Sequence, residues 1–233
     1  MNVTVAENIK TPITLPKSNG KKEVYYPESD GKPMAETGIH VNLILELFQT
    51  LKTFFRQNNE TAIIADMMFY YEEGNPRKCI APDVMVVRGV GNHLRRTFKL
   101  WEEKSPDVVF EISSRATWRA DLQKKFFLYE TIGVKEYYIF DPEYDYLKDE
   151  PLVAFHLKDG KFEELKIKRG RVFSPALGLE IVDTGETLRL FNPETKSFLP
   201  TMEELASKAK KVENLESEVE KLKAELAKLK RQP

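Results

Sequence analysis

The C-terminal segment constrains the fold most. Residues 202 to 231 contain neither glycine nor proline, and apolar residues recur there every seven positions. One series is Leu205, Val212, Val219 and Leu226, and a second, three residues later, is Leu215, Leu222 and Leu229, with Lys208 in its first place. These are the a and d positions of a heptad repeat, so the segment predicts a coiled-coil helix. We expect a homodimer through this helix; the alternative is a single helix packed back on its own domain.

Composition excludes several classes of protein. Among 233 residues, 36 are basic and 37 acidic, for a net charge of -1, which excludes a globally basic nucleic-acid coat but not a local basic patch. A single cysteine, Cys79, excludes an intramolecular disulfide framework and a cysteine-rich zinc site. No apolar run approaches the roughly 20 residues that span a bilayer, and no signal peptide is recognisable. We therefore expect a cytoplasmic protein with no membrane partner.

The rest of the chain predicts an α/β domain with a mixed β-sheet. We expect a polar arm over residues 1–35, a domain over 36–200 and the coiled-coil helix over 201–233. Thr37 is the predicted cap of a first helix with apolar positions at Ile39, Leu43, Leu45, Leu47, Phe48, Leu51 and Phe55. The other predicted elements are strands 61–71, 81–87 and 107–112, a helix over 117–132 between Thr117 and Gly133, and strands 136–140, 152–157, 162–167 and 171–182.

Two carboxylates lie on predicted core strands. Asp83 follows a proline at the start of one strand, and Glu111 lies near the end of the apolar strand VVFEI. An isolated carboxylate is costly to bury, so each is either a satisfied structural group or part of a charged site. Two acids on neighbouring strands repel each other, and a divalent cation bound by their oxygens would remove that repulsion.

The predicted helix after Glu111 adds a lysine. At about 100° per residue, one face carries Trp118, Leu122, Phe126, Tyr129 and Ile132. Lys125 falls inside this apolar face, whereas Lys124 points the other way. Lys125 either pairs with Asp121 one turn earlier or reaches the pocket of the two carboxylates. Two carboxylates, a lysine and a metal ion are what phosphodiester hydrolysis needs.

Four sequence blocks carry a resemblance to a known family. They are PDVMVV (82–87), SPDVVFEISSRAT (105–117), DLQKKFFLYETIGVKEYYIFDP (121–142) and ALGLEI (176–181). In this order they resemble the Uma-two family, a branch of the PD-(D/E)xK nuclease superfamily catalogued as restriction endonucleases, over roughly residues 25 to 195. The resemblance implies a restriction-endonuclease-like fold and a nuclease site that uses Mg²⁺ or Mn²⁺ on DNA. Its two metal-binding acids fall on Asp83 and Glu111.

The chain departs from the superfamily pattern at one catalytic position. The usual lysine would stand at position 113, which is Ser113 here. Families of this type often place the lysine on the following helix instead, which points to Lys125. Glu36 and His40, at the entry to the first helix, are secondary candidates; the alternatives are an acid favoured by the helix dipole and a satisfied helix-start histidine.

Basic residues cluster between the two acid-bearing strands. Basic residues interleaved with aromatic ones suit a phosphate backbone and stacked bases, and the alternative is a surface loop with buried aromatics. The candidates for nucleic-acid binding are Arg95, Arg96 and Lys99, beside Phe98 and Trp101, together with Arg115 and Arg119.

Three functions remain open from the sequence. The first is a metal-dependent DNA endonuclease. The second is a non-catalytic nucleic-acid-binding or assembly module that keeps the nuclease fold. The third is a structural oligomer organised by the coiled coil alone.

Overall fold

The computed structural model describes residues 24–29, 31, 37–147 and 150–229. None of the described helices is long and apolar enough to cross a membrane. The elements in chain order are α1 Gly38–Phe54, β1 Thr61–Ala65, β2 Phe69–Tyr70, β3 Cys79–Ile80, β4 Val84–Arg88, β5 Phe98–Lys99, β6 Val108–Ile112, α2 Trp118–Ala120, a π-helical turn Asp121–Lys125, α3 Phe126–Ile132, β7 Glu136–Phe140, β8 Leu152–Lys158, β9 Lys161–Glu164, β10 Arg171–Ser174, β11 Leu179–Asp183, β12 Leu188–Asn192, β13 Ser197–Phe198 and α4 Met202–Leu229.

A six-stranded mixed sheet with strand order β1-β4-β6-β7-β8-β9 forms the centre. Strands β6 and β7 run parallel, and the other adjacent pairs of this sheet are antiparallel. A parallel pair needs a crossover connection, and α2, the π-turn and α3 provide it. Alternate residues of β4 face opposite sides, so Val84 and Val86 pack in the core under α1 while Met85 and Val87 pack in the core under α3. The predicted α/β class with a mixed sheet is confirmed.

The first helix begins as predicted but buries a narrower face. The Thr37 hydroxyl accepts a hydrogen bond from the His40 backbone N–H at 3.3 Å, which confirms the cap. Leu43 and Leu47 lie in the core, but Ile39 and Leu45 are 56% and 54% exposed. These two apolar positions of the predicted helix therefore do not pack in the core. Leu45 lies about 200° around the helix from Leu43, and Ile39 stands at the edge of the buried arc in the first turn.

Two predicted strands are each broken by a turn. The segment predicted as one strand over 61–71 bends after Ala65 at Asp66, whose φ is +45°, and continues as β2 in a separate three-stranded sheet with β3 and β5. The segment predicted over 171–182 is a hairpin of β10 and β11, with Gly178 in the turn at φ +70°. A third prediction, of a strand over 162–167, was too long, because β9 ends at Glu164.

The crossover helix differs from prediction at its start. Thr117 does not cap it, because its hydroxyl accepts the Ser114 backbone N–H at 3.0 Å and makes no capping bond. The helix is also not uniform, since a π-turn separates α2 from α3. Its predicted end is confirmed: Gly133 adopts φ +82° and donates to the Tyr129 carbonyl at 3.1 Å.

Two smaller sheets attach to the centre. Tyr26, in the described part of the N-terminal arm, packs its ring on Tyr70 of β2 and on Trp101, with centroids 4.9 Å and 5.2 Å apart. Strands β10 to β13 form a four-stranded sheet. Buried Glu136 of β7 accepts hydrogen bonds from the Ser174 hydroxyl and from the Ala176 backbone N–H, the latter at 2.9 Å, and so ties that sheet to the central one.

The glycine that ends α3 gives a prediction about stability. We expect Gly133→Ala to lower the free energy of unfolding by about 1–2 kcal/mol, because an L-residue is strained at φ +82°. The matched control is Gly38→Ala, in the first turn of α1, where an added Cβ meets nothing within 4 Å and alanine is the better helix former. Urea unfolding of both variants measures the difference; equal midpoints for the two would contradict it.

Candidate active site

The pairing of β4 with β6 brings the two predicted acids together. Val84 lies opposite Phe110 in this antiparallel pair, so Asp83 and Glu111 occupy the next opposed positions. The Ile112 backbone N–H donates to Asp83 Oδ2 at 2.6 Å, which fixes the aspartate against the end of β6. The side chain of Asp83 is 17% exposed, whereas Glu111 is fully buried.

Glu111 is held by two partners from the crossover helix. Lys125 Nζ lies 2.8 Å from Glu111 Oε2, and the Tyr129 hydroxyl donates to Oε1 at 2.6 Å. Burial raises the pKa of Glu111; Lys125 opposes that rise, while the carboxylates of Asp83 and Asp121 add to it. Burial also raises the pKa of Tyr129 well above its usual value, with the Glu111 charge adding to the effect, so Tyr129 remains a hydrogen-bond donor.

Lys125 bridges two carboxylates rather than one. Its Nζ also lies 2.8 Å from Asp121 Oδ1, and the other oxygen of this buried aspartate accepts the Ser113 hydroxyl at 3.0 Å. Both contacts that the sequence offered for Lys125 therefore occur together. Burial alone would lower the pKa of Lys125, but the Glu111 and Asp121 carboxylates outweigh it and the pKa is raised. The lysine stays an ammonium.

The π-turn sets the direction of Lys125. It spans Asp121–Lys125, so the helix is locally wider than the uniform α-helix on which the sequence projection rests. Even so, Lys124 is exposed, and only 17% of the Lys125 side chain is exposed. Tyr129, one turn later, reaches Glu111 from the same side.

His40 also reaches this end of the sheet. It is 4% exposed, and its Nε2 lies 2.6 Å from the Ile112 carbonyl oxygen, to which it donates, and 3.5 Å from Asp83 Oδ2. These contacts connect the first turn of α1 to the strand ends that carry both acids. Glu36 lies outside the described residues. Glu46, another acid further along α1, has different charged neighbours. These are Arg189 of β12 and Glu204 at the start of α4.

The basic residues before β6 are mostly paired with acids. Both Arg95 and Lys99 bind neighbouring glutamates: Arg95 Nη2 donates to Glu103 at 2.8 Å, and Lys99 Nζ lies 2.9 Å from Glu102. The Arg95 side chain is 4% exposed. The exposed Arg96 lies 2.5 Å from Glu28, and Phe98 and Trp101 pack within the protein. These contacts favour the surface-loop interpretation of this stretch.

Arg115 and Arg119 lie differently. Both are exposed, on the segment that joins Glu111 to Lys125. The Arg119 guanidinium stacks over the Trp118 ring, 4.3 Å from its centroid. Among the five basic candidates, Arg115 and Arg119 are therefore the two that are exposed and lie in sequence between Glu111 and Lys125.

Sequence reasoning missed the supporting roles of three residues. Tyr129 was assigned only to an apolar face, and Ser113 only to a missing lysine, yet each donates a hydrogen bond inside the site. Asp121 was weighed only as an alternative partner of Lys125, whereas it binds Lys125 and Ser113 together. The available signal was the four-residue spacing of Asp121, Lys125 and Tyr129, which puts all three on one helix face.

The donors fit a hard divalent cation. Asp83 and Glu111 offer two carboxylates, and among the described residues no third His, Cys, Asp or Glu side chain joins them to form a larger metal-binding set. Mg²⁺ is commonly held by one or two carboxylates and completes its shell with water and substrate phosphate. Zinc sites, in contrast, take three or four protein ligands rich in nitrogen and sulfur.

The hydroxyl of Tyr129 gives a prediction about stability. Tyr129→Phe leaves Glu111 Oε1 buried without its donor, so we expect a loss of about 1–3 kcal/mol in the free energy of unfolding. The matched control is Tyr146→Phe, which removes an exposed hydrogen bond of 2.9 Å to Glu143 and should cost less than about 0.5 kcal/mol. Chemical denaturation of both variants tests this, and similar losses would mean that Glu111 does not depend on Tyr129.

Comparison with known proteins places the chain in a family. No curated protein matches it significantly in sequence. Among solved structures, a "putative nuclease belonging to DUF820" from Anabaena variabilis ATCC 29413 is similar, with 15% sequence identity, a TM-score of 0.46, and coverage of 64% of this chain and 81% of that one. A family model described as "Putative restriction endonuclease" matches residues 14–185. The chain therefore belongs to the Uma2 family, the same family that the four sequence blocks resemble.

Proposed function

We propose that this protein is a metal-dependent endonuclease that hydrolyses phosphodiester bonds of DNA. The observation that carries the proposal is the convergence of Asp83, Glu111 and Lys125 on one end of the central sheet, with Lys125 Nζ 2.8 Å from Glu111. Membership of a family described as "Putative restriction endonuclease" supports the same function. The three residues have the chemistry that phosphodiester hydrolysis requires.

Asp83 and Glu111 would hold the metal ion, Mg²⁺ or Mn²⁺. When bound, such an ion polarises the phosphoryl oxygen and lowers the pKa of a coordinated water. The protein holds the two carboxylates in place beforehand, through the Ile112 backbone N–H on Asp83 and the Tyr129 hydroxyl on Glu111. This fixed arrangement lowers the reorganisation needed for reaction.

Lys125 would stabilise negative charge on the phosphate or orient the attacking water. Its ammonium is held by Glu111 and Asp121 at equal distances of 2.8 Å, so its position is set before substrate arrives. The Lys125 side chain keeps 17% of its surface exposed. Because the lysine is already charged and oriented, it can act on developing charge without rearranging.

The phosphate backbone of DNA would be contacted by Arg115 and Arg119. These exposed side chains lie on the segment that joins Glu111 to Lys125, and arginine suits phosphate recognition. Arg95, which is buried against Glu103, is the weakest of the five candidates for phosphate binding. Sequence preference for the target is not implied by contacts of this kind.

A plasmid assay tests the reaction. Supercoiled DNA incubated with the purified protein and Mg²⁺ or Mn²⁺ should become nicked or linear, and EDTA should prevent it. DNA retention without nicking would instead identify the protein as a nucleic-acid-binding module. If the protein neither retained nor nicked DNA, the structural oligomer would be the remaining function.

The two acids give the sharpest prediction. We expect Asp83→Asn and Glu111→Gln each to abolish metal-dependent cleavage while the protein stays folded. Titration calorimetry with Mn²⁺ should lose its signal in both variants, because each removes a carboxylate ligand. Glu163→Gln is the control, since Glu163 is 59% exposed on β9. Unchanged metal binding in either acid variant would remove that residue from the site.

The two adjacent lysines give a matched pair. We expect Lys125→Ala to reduce the cleavage rate by roughly 10² or more, a few kcal/mol of transition-state stabilisation. Lys124→Ala should cleave at nearly the wild-type rate, because Lys124 is exposed to solvent. Single-turnover rates are compared at a temperature where circular dichroism shows both variants folded. Equal losses would argue against a specific role for Lys125.

A further inference from the structure

Helix α4 carries an apolar stripe that its own domain does not cover. Every residue from Ala206 to Ala224 is exposed. The contacts of α4 with the domain lie near its start, where Glu204 pairs with Arg189 at 3.1 Å. The side chains of the stripe are Val212, Leu215, Val219, Leu222 and Leu226, each between 47% and 57% exposed. Helices in proteins gain most of their stability by packing such a face.

We infer that a second copy of this chain covers the stripe, in a parallel two-stranded coiled coil. Valine at the a positions 212 and 219, with leucine at the d positions 215 and 222, is the combination that favours two parallel strands. The 28 residues of α4 would give a stalk of about 42 Å at about 1.5 Å per residue.

Charge along the flanks of the stripe supports a parallel partner. In a parallel pair, each g position faces the e position of the next heptad on the other helix. Lys211 would then face Glu216, and Glu218 would face Lys223, so both central pairs are attractive. Three of the four g positions, 204, 218 and 225, are glutamate. In a fully overlapped antiparallel pair, in which g faces g, position 211 (lysine) would face position 218 (glutamate), but positions 204 and 225, both glutamate, would face each other. The parallel pair avoids this repulsion.

Sedimentation of the full-length protein tests the interface. At tens of micromolar, wild type should have twice the mass of one chain, Val219→Lys should be a monomer, and Ser217→Lys should remain a dimer. Position 217 is the f position of the heptad, on the outer face, and both residues are exposed on a single chain. A monomer would tolerate both changes equally. A monomeric wild type, or a dimer that survives Val219→Lys, would overturn the interface, as would a trimer or tetramer.

Charge exchange tests the direction of pairing. Glu218→Lys should weaken association at least several-fold by facing Lys223 of the second copy, and adding Lys223→Glu should restore it. In addition, Val219→Cys in a Cys79→Ser background should form an interchain disulfide, and Ser217→Cys should not. A double variant no tighter than Glu218→Lys, with no disulfide at position 219, would overturn the parallel arrangement.

For a nuclease of the proposed function, dimerisation would change the products of plasmid cleavage. A dimer brings two sites to one duplex, so wild type should release linear plasmid early, whereas Val219→Lys should accumulate nicked circles. Sedimentation does not depend on cleavage: an inactive protein that dimerises would refute the nuclease proposal alone, and an active monomer would refute the dimer alone. A dimer with the product ratio of Val219→Lys would refute two-site cleavage.

Discussion

The ion pair between Glu111 and Lys125 is the interaction on which the rest of the site depends. Glu111 is fully buried in the apolar strand β6, where an unpaired carboxylate would cost several kcal/mol. The crossover helix packs over this face of β6 on the way to β7, so it can supply the cation that Glu111 requires. Lys125, with its Nζ 2.8 Å from Glu111 Oε2, meets this requirement. The ion pair thereby also fixes the position of the crossover helix relative to β6.

The lysine in turn needs more than one carboxylate. Asp121, buried one turn earlier, takes a second bond from Lys125 and a hydrogen bond from Ser113. Ser113, directly after β6, thus shares with Lys125 the carboxylate of Asp121, which joins the end of the strand to the crossover helix. The π-turn lies over these same five residues, and such turns are frequent at functional sites. A local departure from regular helix thus coincides with the network that positions Lys125.

The sequence predicted those parts that depend on local pattern. Glu111 could be placed on a strand, Asp83 at the beginning of one, where it directly precedes β4, and Lys125 on an apolar helix face, because hydrophobic periodicity reveals faces. Breaks inside apolar runs were missed: the turn at Asp66 needs a left-handed backbone at a non-glycine residue, which apolar pattern does not report. Apolar pattern also does not report pairs that form when the loop folds, such as the hydrogen bond from Arg95 to Glu103. A run of basic residues shows charge, whereas neutralisation by acids depends on how the loop folds.

The site is asymmetric, and this limits where a ligand can approach. Glu111 has no exposed surface, while Asp83 and Lys125 each keep 17% of their side chains exposed. Both faces of the central sheet are covered, by α1 on one side and by the crossover helix on the other. Asp83 and Lys125 are therefore the charged side chains of this network that solvent reaches, whereas Glu111 is shielded from it. His40, bonded to the Ile112 carbonyl and 3.5 Å from Asp83, packs beside Asp83 on the α1 side.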